Sequence, residues 1–279
     1  MHDQAQRLRK LIATHDAEPS HGVSASPRVI ALLGAVRDVG TTTIARNLAS
    51  VVSQQIETVL VHIELVDRKE IRATATDAMD ADKYRANESN LAWNHEETTP
   101  ELGDLTIRQC QIRDGRFTRQ QVTQLILELN QTYGNKTTVL IDTGSTCSPI
   151  ADTIWKLVDQ AIVVTTIDTL AITETYSLIK TMAGQRTRCQ EETGPTHLGL
   201  VLNRIGDGES ASEPYQRLAK TCRDFLGLRV ELYGDLPFDK EITEDRNGLP
   251  YALRTPNRPA ARSLARMGRP MICSPGASR

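Results

Sequence analysis

Short apolar runs set among helical patterns restrict the fold of this chain more than any other feature. RVIALL (28–33), TTVLIDTG (137–144), DQAIVVTTI (159–167) and THLGLVLNRI (196–205) are continuous rather than alternating in hydrophobicity. A strand reads this way when both of its faces are covered, as in a parallel sheet flanked by helices. TVLVHIEL (58–65), LTIRQCQI (105–112) and RVELYGDLP (229–237) extend the series. Between them, TIARNLASVVS (43–53), RQQVTQLILELNQTY (119–133), ITETYSLIKTMAG (172–184) and SEPYQRLAKTCRDFLG (212–227) carry apolar residues at helical spacing. Alternation of this kind predicts an α/β fold, a three-layer doubly wound and mainly parallel sheet. Ligands of such sheets bind at the carboxyl ends of the strands. Residues 66–100 are polar and weakly periodic and read as loops with a short helix.

The flanks differ from this body. DQAQRLRKLIA (3–13) has helical spacing, and THDAEPSHGVSASP (14–27) is rich in turn formers, so a helix at 1–13 is joined by a linker at 14–27 to a domain at 28–255. The stretch after Tyr251 carries Arg254, Arg258, Arg262, Arg266 and Arg269 and no acid, and the segment 256–279 reads as a basic helix and tail. Its apolar face, Ala261, Leu264 and Ala265, is thin for a lipid-binding helix, and packing on the domain is the favoured reading over membrane contact. The net charge of −2 and the absence of aromatic–basic interleaving argue against nucleic acid. Five scattered cysteines without a C-x-x-C pair argue against a zinc site or a disulfide framework. No apolar run approaches the roughly 18 residues that span a bilayer. A cytoplasmic protein is expected.

GAVRDVGTTT (34–43) stands where a phosphate-binding loop would stand, between the first strand and the first helix. Such a turn aims backbone N–H groups at an anion. Aligned on Gly40, a G-x-x-x-x-G-K-[ST] pattern would put lysine at Thr41 and the magnesium hydroxyl at Thr42, with Thr43 following. No lysine is present. One lost charge-assisted contact weakens binding by about 1.5–3 kcal/mol. Asp142 ends a buried strand, where an acid can hold magnesium or simply cap a turn. Asn203 can read a base edge or serve a turn. His62, in mid-strand, reads as a satisfied core histidine before a ligand, and Trp93 and Trp155 as packing residues.

RVIALLG with VGTTTIARNLA (39–49), TTVLIDTGS (137–145), VDQAIVVTTIDTLAITETYSLIK (158–180) and LGLVLNRI with LYGDLPFDKEI resemble the MinD/ParA family of deviant P-loop ATPases. DQAQRLRKL (3–11) is similar to the activator helix of FlhG (FleN)-type flagellar-number regulators, which engage the SRP-like GTPase FlhF. The resemblance covers the chain from Asp3 to about Leu264. It implies ATP or ADP at Gly40, Thr41, Thr42, Thr43 and Asn203, and Mg²⁺ at Thr42 and Asp142. It also implies a homodimer, and contact of Asp3, Gln4, Ala5, Leu8 and Arg9 with an FlhF-like GTPase. The inner membrane or the cell pole would be its place of action.

The departures fall where the family does chemistry. Both signature lysines are absent, with Val36 and Thr41 in their places, and the second strand offers Ile63 and Leu65 where the family has acids, with Glu64 between them. The nucleotide site therefore reads as degenerate, with weak or absent nucleotide and no catalytic residue. A spatial regulator working through protein contacts, on flagellum number or placement, is the expected function. The alternatives are an ATP-binding switch that dimerises, and a pole-localising pseudo-ATPase scaffold.

Overall fold

The computed structural model describes residues 26–66, 91–98, 102–113, 118–144, 149–183, 197–243 and 249–272. The helix expected at 1–13 and nearly all of the linker lie outside these residues. One eight-stranded sheet organises the rest. Its strands are β1 (Arg28–Gly34), β2 (Thr58–Val66), β3 (Leu91–Thr98), β4 (Leu105–Arg113), β5 (Thr138–Asp142), β6 (Gln160–Thr166), β7 (His197–Ile205) and β8 (Glu231–Pro237). They lie in the order β3-β4-β2-β5-β1-β6-β7-β8. Seven strands are parallel, and β3 pairs antiparallel with β4 at one edge. The doubly wound parallel sheet expected from the apolar runs is present.

Helices cover both faces, as two-sided burial of β1 and β6 requires. On one face lie α1 (Thr41–Val52), α6 (Tyr251–Arg254) and α7 (Pro259–Ile272). On the other lie α2 (Arg119–Thr132), α3 (Pro149–Leu157), α4 (Thr169–Ala183) and α5 (Ser212–Leu226). Successive residues of β1 divide between the two cores: Ile30 and Leu32 join the first, Ala31 and Leu33 the second. Local chemistry fixes several ends. Thr118 and Gln121 form a reciprocal capping box at the start of α2. Asp168 caps α4 by accepting from the Ala171 amide at 2.9 Å. Gly227, at φ 64°, closes α5 in the left-handed conformation.

Two elements depart from the sequence reading. Leu91–Thr98, read as loop, is the edge strand β3. An edge strand needs no continuous apolar run, and LAWNHEET has none. Trp93 secures it: its indole N–H donates to Glu128 Oε2 at 2.9 Å, and the Arg108 guanidinium lies 4.0 Å from its ring centroid. Helix α3, whose pattern was not singled out, buries Trp155 fully. The basic helix α7 buries Ala260, Ala261, Leu264, Met267 and Met271 against α1 and β8. Its apolar face is thus used in the core. Its arginines Arg262, Arg266 and Arg269 line an open groove with Asp235.

Candidate functional site: the loop after the first strand

The strand order places the ends of β1, β5 and β2 side by side, with the 34–43 loop above them. Gly34 ends β1 in close quarters. Its amide donates to the Gly144 carbonyl at 3.1 Å, and a Cβ there would collide with Thr41 Oγ1. Gly40 has φ 90° and caps α1, its carbonyl accepting from the Ile44 amide at 2.9 Å. A side chain at Gly40 would be strained at this φ and would strike the Asn203 amide. Both glycines are therefore demanded by the turn itself.

The residues expected to hold nucleotide and metal divide between two cavities flanking the start of α1. Gly40, Thr43 and Asn203 line one of about 290 Å³, together with Arg204, Phe238 and Asp239. Thr42 and Asp142 line the other, of about 360 Å³, together with Arg46, His62 and Gln109. Thr41 belongs to neither wall. Its buried hydroxyl has no hydrogen-bond partner among the described residues. As in any helix, the amides of the first turn have no intrahelical acceptor and remain available to an anion.

Asn203 is engaged within the protein. Its Nδ2 donates to the Val39 carbonyl at 2.7 Å, and its Oδ1 accepts from the Arg204 amide at 2.8 Å. It ties the loop to the end of β7 and holds Arg204 at φ 59°, a left-handed conformation uncommon for a non-glycine residue. Of the two readings of Asn203 in the sequence, the turn role is the one visible here.

Asp142 is equally occupied. Register places His62 of β2 directly beside it. His62 Nδ1 lies 2.8 Å from Asp142 Oδ2, and Asp142 Oδ1 accepts from the Gly144 amide at 3.0 Å. The carboxylate is 1% exposed and the imidazole 35%. The Asp142 hydrogen bond raises the His62 pKa above its usual value, against the lowering effect of partial burial; Asp142 and Glu64 charges add to the rise. His62 is therefore no core histidine; it lines the cavity. The pairing joins residues far apart in sequence, and only strand register reveals it. The carboxylate thus accepts a ring N–H on one oxygen and a backbone N–H on the other.

The residues near the loop have definite local roles. Val36 is half-buried and packs against both apolar cores. Neighbouring Arg37 is exposed. Ile63 is buried in the core on the sheet face opposite His62. Glu64 Oε2 accepts from Gln109 and Gln111, each at 2.8 Å. A second polar knot follows β8. Asp239 Oδ2 accepts from the Tyr251 hydroxyl at 2.6 Å and from Arg258 at 3.0 Å, and Arg258 also reaches Glu241 at 2.8 Å. Asn47, inside α1, accepts from the Ala252 amide at 2.8 Å and so fastens α6 to the site helix. None of these ties is local in sequence.

No protein-family model matches the chain, and no curated protein sequence matches it. Solved structures do. The septum site-determining protein MinD complexed with Mg-ADP from Pyrococcus horikoshii is 17% identical, with a TM-score of 0.59 over 88% of this chain and 95% of that one. The MinC:MinD cell division protein complex of Aquifex aeolicus is 17% identical, with a TM-score of 0.56 over 88% and 95%. A ParA family ATPase from Chlorobium tepidum is 16% identical, with a TM-score of 0.56 over 88% and 98%. Among the described residues, no helix is long and apolar enough to cross a membrane. At these identities the likeness speaks to architecture: the chain has the P-loop NTPase fold of the MinD/ParA type.

Proposed function

We propose that this protein is a spatial regulator of the FlhG/MinD kind that acts through protein contacts rather than nucleotide turnover. The observation that carries this reading is the state of Asp142, whose two oxygens are held by His62 and by the Gly144 amide. The apolar setting of Val36 supports it, since a residue packed into both cores offers no charge to a phosphate. The contact surface is the N-terminal segment DQAQRLRKL, with Asp3, Gln4, Ala5, Leu8 and Arg9 touching an SRP-type GTPase of the FlhF kind. Control of flagellum number or placement would follow, at the cell pole or the inner membrane. The test is GTP turnover by such a GTPase with and without a peptide of residues 1–20. Stimulation is expected, and its absence overturns the assignment.

A second reading, an ATP-dependent switch that dimerises, is favoured by the cavity of about 290 Å³ beside Gly40, which Phe238 also lines. Titration with ATP separates the two. Micromolar binding that disappears on changing Thr42 and Asn203 would favour the switch.

A further inference from the structure

We infer that the groove between β8 and α7 is a docking surface for an acidic, extended segment of a protein partner, with Arg262, Arg266 and Arg269 reading its carboxylates and Asp235 accepting from its backbone. The groove measures about 600 Å³, with Asp235 and Pro237 on one wall and the three exposed arginines on the other. Among the described residues, Arg266 donates to Ser263 Oγ at 2.9 Å, none of the three arginines meets a carboxylate, and the Asp235 carboxylate has no partner. Arg258, the residue before α7, shows the contrast where the chain itself supplies acids: it pairs with Asp239 at 3.0 Å and Glu241 at 2.8 Å.

Spacing and chemistry select the ligand. Arg262 and Arg266 are four residues apart on α7, about 6 Å along the helix axis. In an extended chain, residues two apart share a face and are separated by roughly 6–7 Å. Alternate acids along such a chain meet Arg262 and Arg266 in succession, each as a bidentate pair, and Arg269 takes the next. An extended chain also leaves its backbone N–H groups in need of acceptors, and Asp235 offers one. Phosphate groups have no such donor, and a carboxylate in the wall repels them, which disfavours nucleic acid. A membrane is disfavoured because the apolar side of α7 is used in the core, with Leu264, Met267 and Met271 at most 3% exposed. The exposed large apolar side chains among the described residues, Leu170, Phe225, Leu232 and Phe238, all lie elsewhere. The register shift across Tyr233 and the proline at position 237 blunt β8 as a pairing edge, so side chains do the reading. This groove owes nothing to the N-terminal segment, so it stands or falls apart from the GTPase partnership.

The test is fluorescence anisotropy of a labelled twelve-residue peptide of alternating glutamate and serine, titrated with the full chain at low salt. Micromolar binding is expected, lost when glutamine replaces glutamate and weakened at least tenfold by Arg262→Gln with Arg266→Gln. Both side chains are exposed, so this double variant should keep the circular dichroism of the parent protein. A matched loss of charge on α5, Arg217→Gln with Lys220→Gln, should change the affinity less than twofold. Asp235→Ser separates recognition from simple attraction: it should weaken the peptide about threefold, although it removes a repelling carboxylate. Tighter peptide binding by Asp235→Ser overturns the inference, because net charge alone would then be read. So does equal binding of the glutamine peptide, an equal loss in the α5 variant, or no peptide binding at millimolar concentration. Tighter binding of a duplex oligonucleotide, or of vesicles containing phosphatidylglycerol, than of the peptide overturns it as well.

Discussion

Replacing Asn203 by alanine separates a structural asparagine from a base-reading one. The side chain makes two hydrogen bonds of 2.7 and 2.8 Å, to the Val39 carbonyl and from the Arg204 amide, and is 7% exposed. Each bond contributes about 1 kcal/mol net, and a buried group left without its partner costs about 1–3 kcal/mol. Two such groups give about 2–6 kcal/mol. Water from the cavity lined by Gly40 and Asn203 can reach the exposed ends, which favours the lower figure, about 2 kcal/mol. Urea unfolding followed by circular dichroism is the assay. With m of about 3 kcal/mol/M, the midpoint should fall by about 0.7 M with m unchanged. Asn203→Asp should be no better, since a carboxylate cannot donate to the Val39 carbonyl. A loss below about 0.5 kcal/mol would refute the argument, because the loop would then be held by something else and the amide would be free to meet a base.

Three further outcomes follow from the same geometry. Gly40→Ala should cost about 1–2 kcal/mol in the same urea assay, because φ is 90° there and a Cβ meets Asn203. Leu264→Ala in α7 should cost about 2–5 kcal/mol by thermal unfolding, since Leu264 is 0% exposed; a near-zero effect would mean that α7 is not part of the core. Burial alone would raise the Asp239 pKa, but bonds from Tyr251, the Glu241 amide and Arg258 outweigh it and lower the value. Its stabilising effect is then present above the unfolded carboxylate pKa of about 3.9 and is lost as pH falls through the lower folded value. Asp239→Asn should flatten the acid limb of a stability–pH curve while lowering stability at neutral pH.

How much could be read from the residues alone depended on whether the signal was local. RVIALL and DQAIVVTTI announce buried parallel strands because burial on both faces removes the need for alternation. The edge strand β3 lacks that signature, and its anchor is the contact of Trp93 with Glu128 and Arg108, residues from two other elements. The loop was legible in place and in its glycines. The use made of Asn203 was not, because the Val39 carbonyl it holds is brought to it by folding. His62 read as a core residue since a histidine amid aliphatic neighbours is ordinarily satisfied inside. Its neighbour Asp142 comes from a strand that follows 80 residues later and becomes visible only through parallel register.

The residues around the loop are physically linked rather than independent of one another. Asp142 is buried, and a buried carboxylate without a counter-charge costs several kcal/mol. A metal or a nearby lysine would supply that counter-charge in a working phosphate loop. Here neither Thr41 nor Val36 carries a charge: the Thr41 hydroxyl lies beside Gly34, and the Val36 side chain packs against both cores. His62 supplies the missing donor from the adjacent strand, so Asp142 remains satisfied with neither lysine nor metal. The arrangement is self-consistent: the imidazole satisfies a buried carboxylate that parallel register places directly beside it.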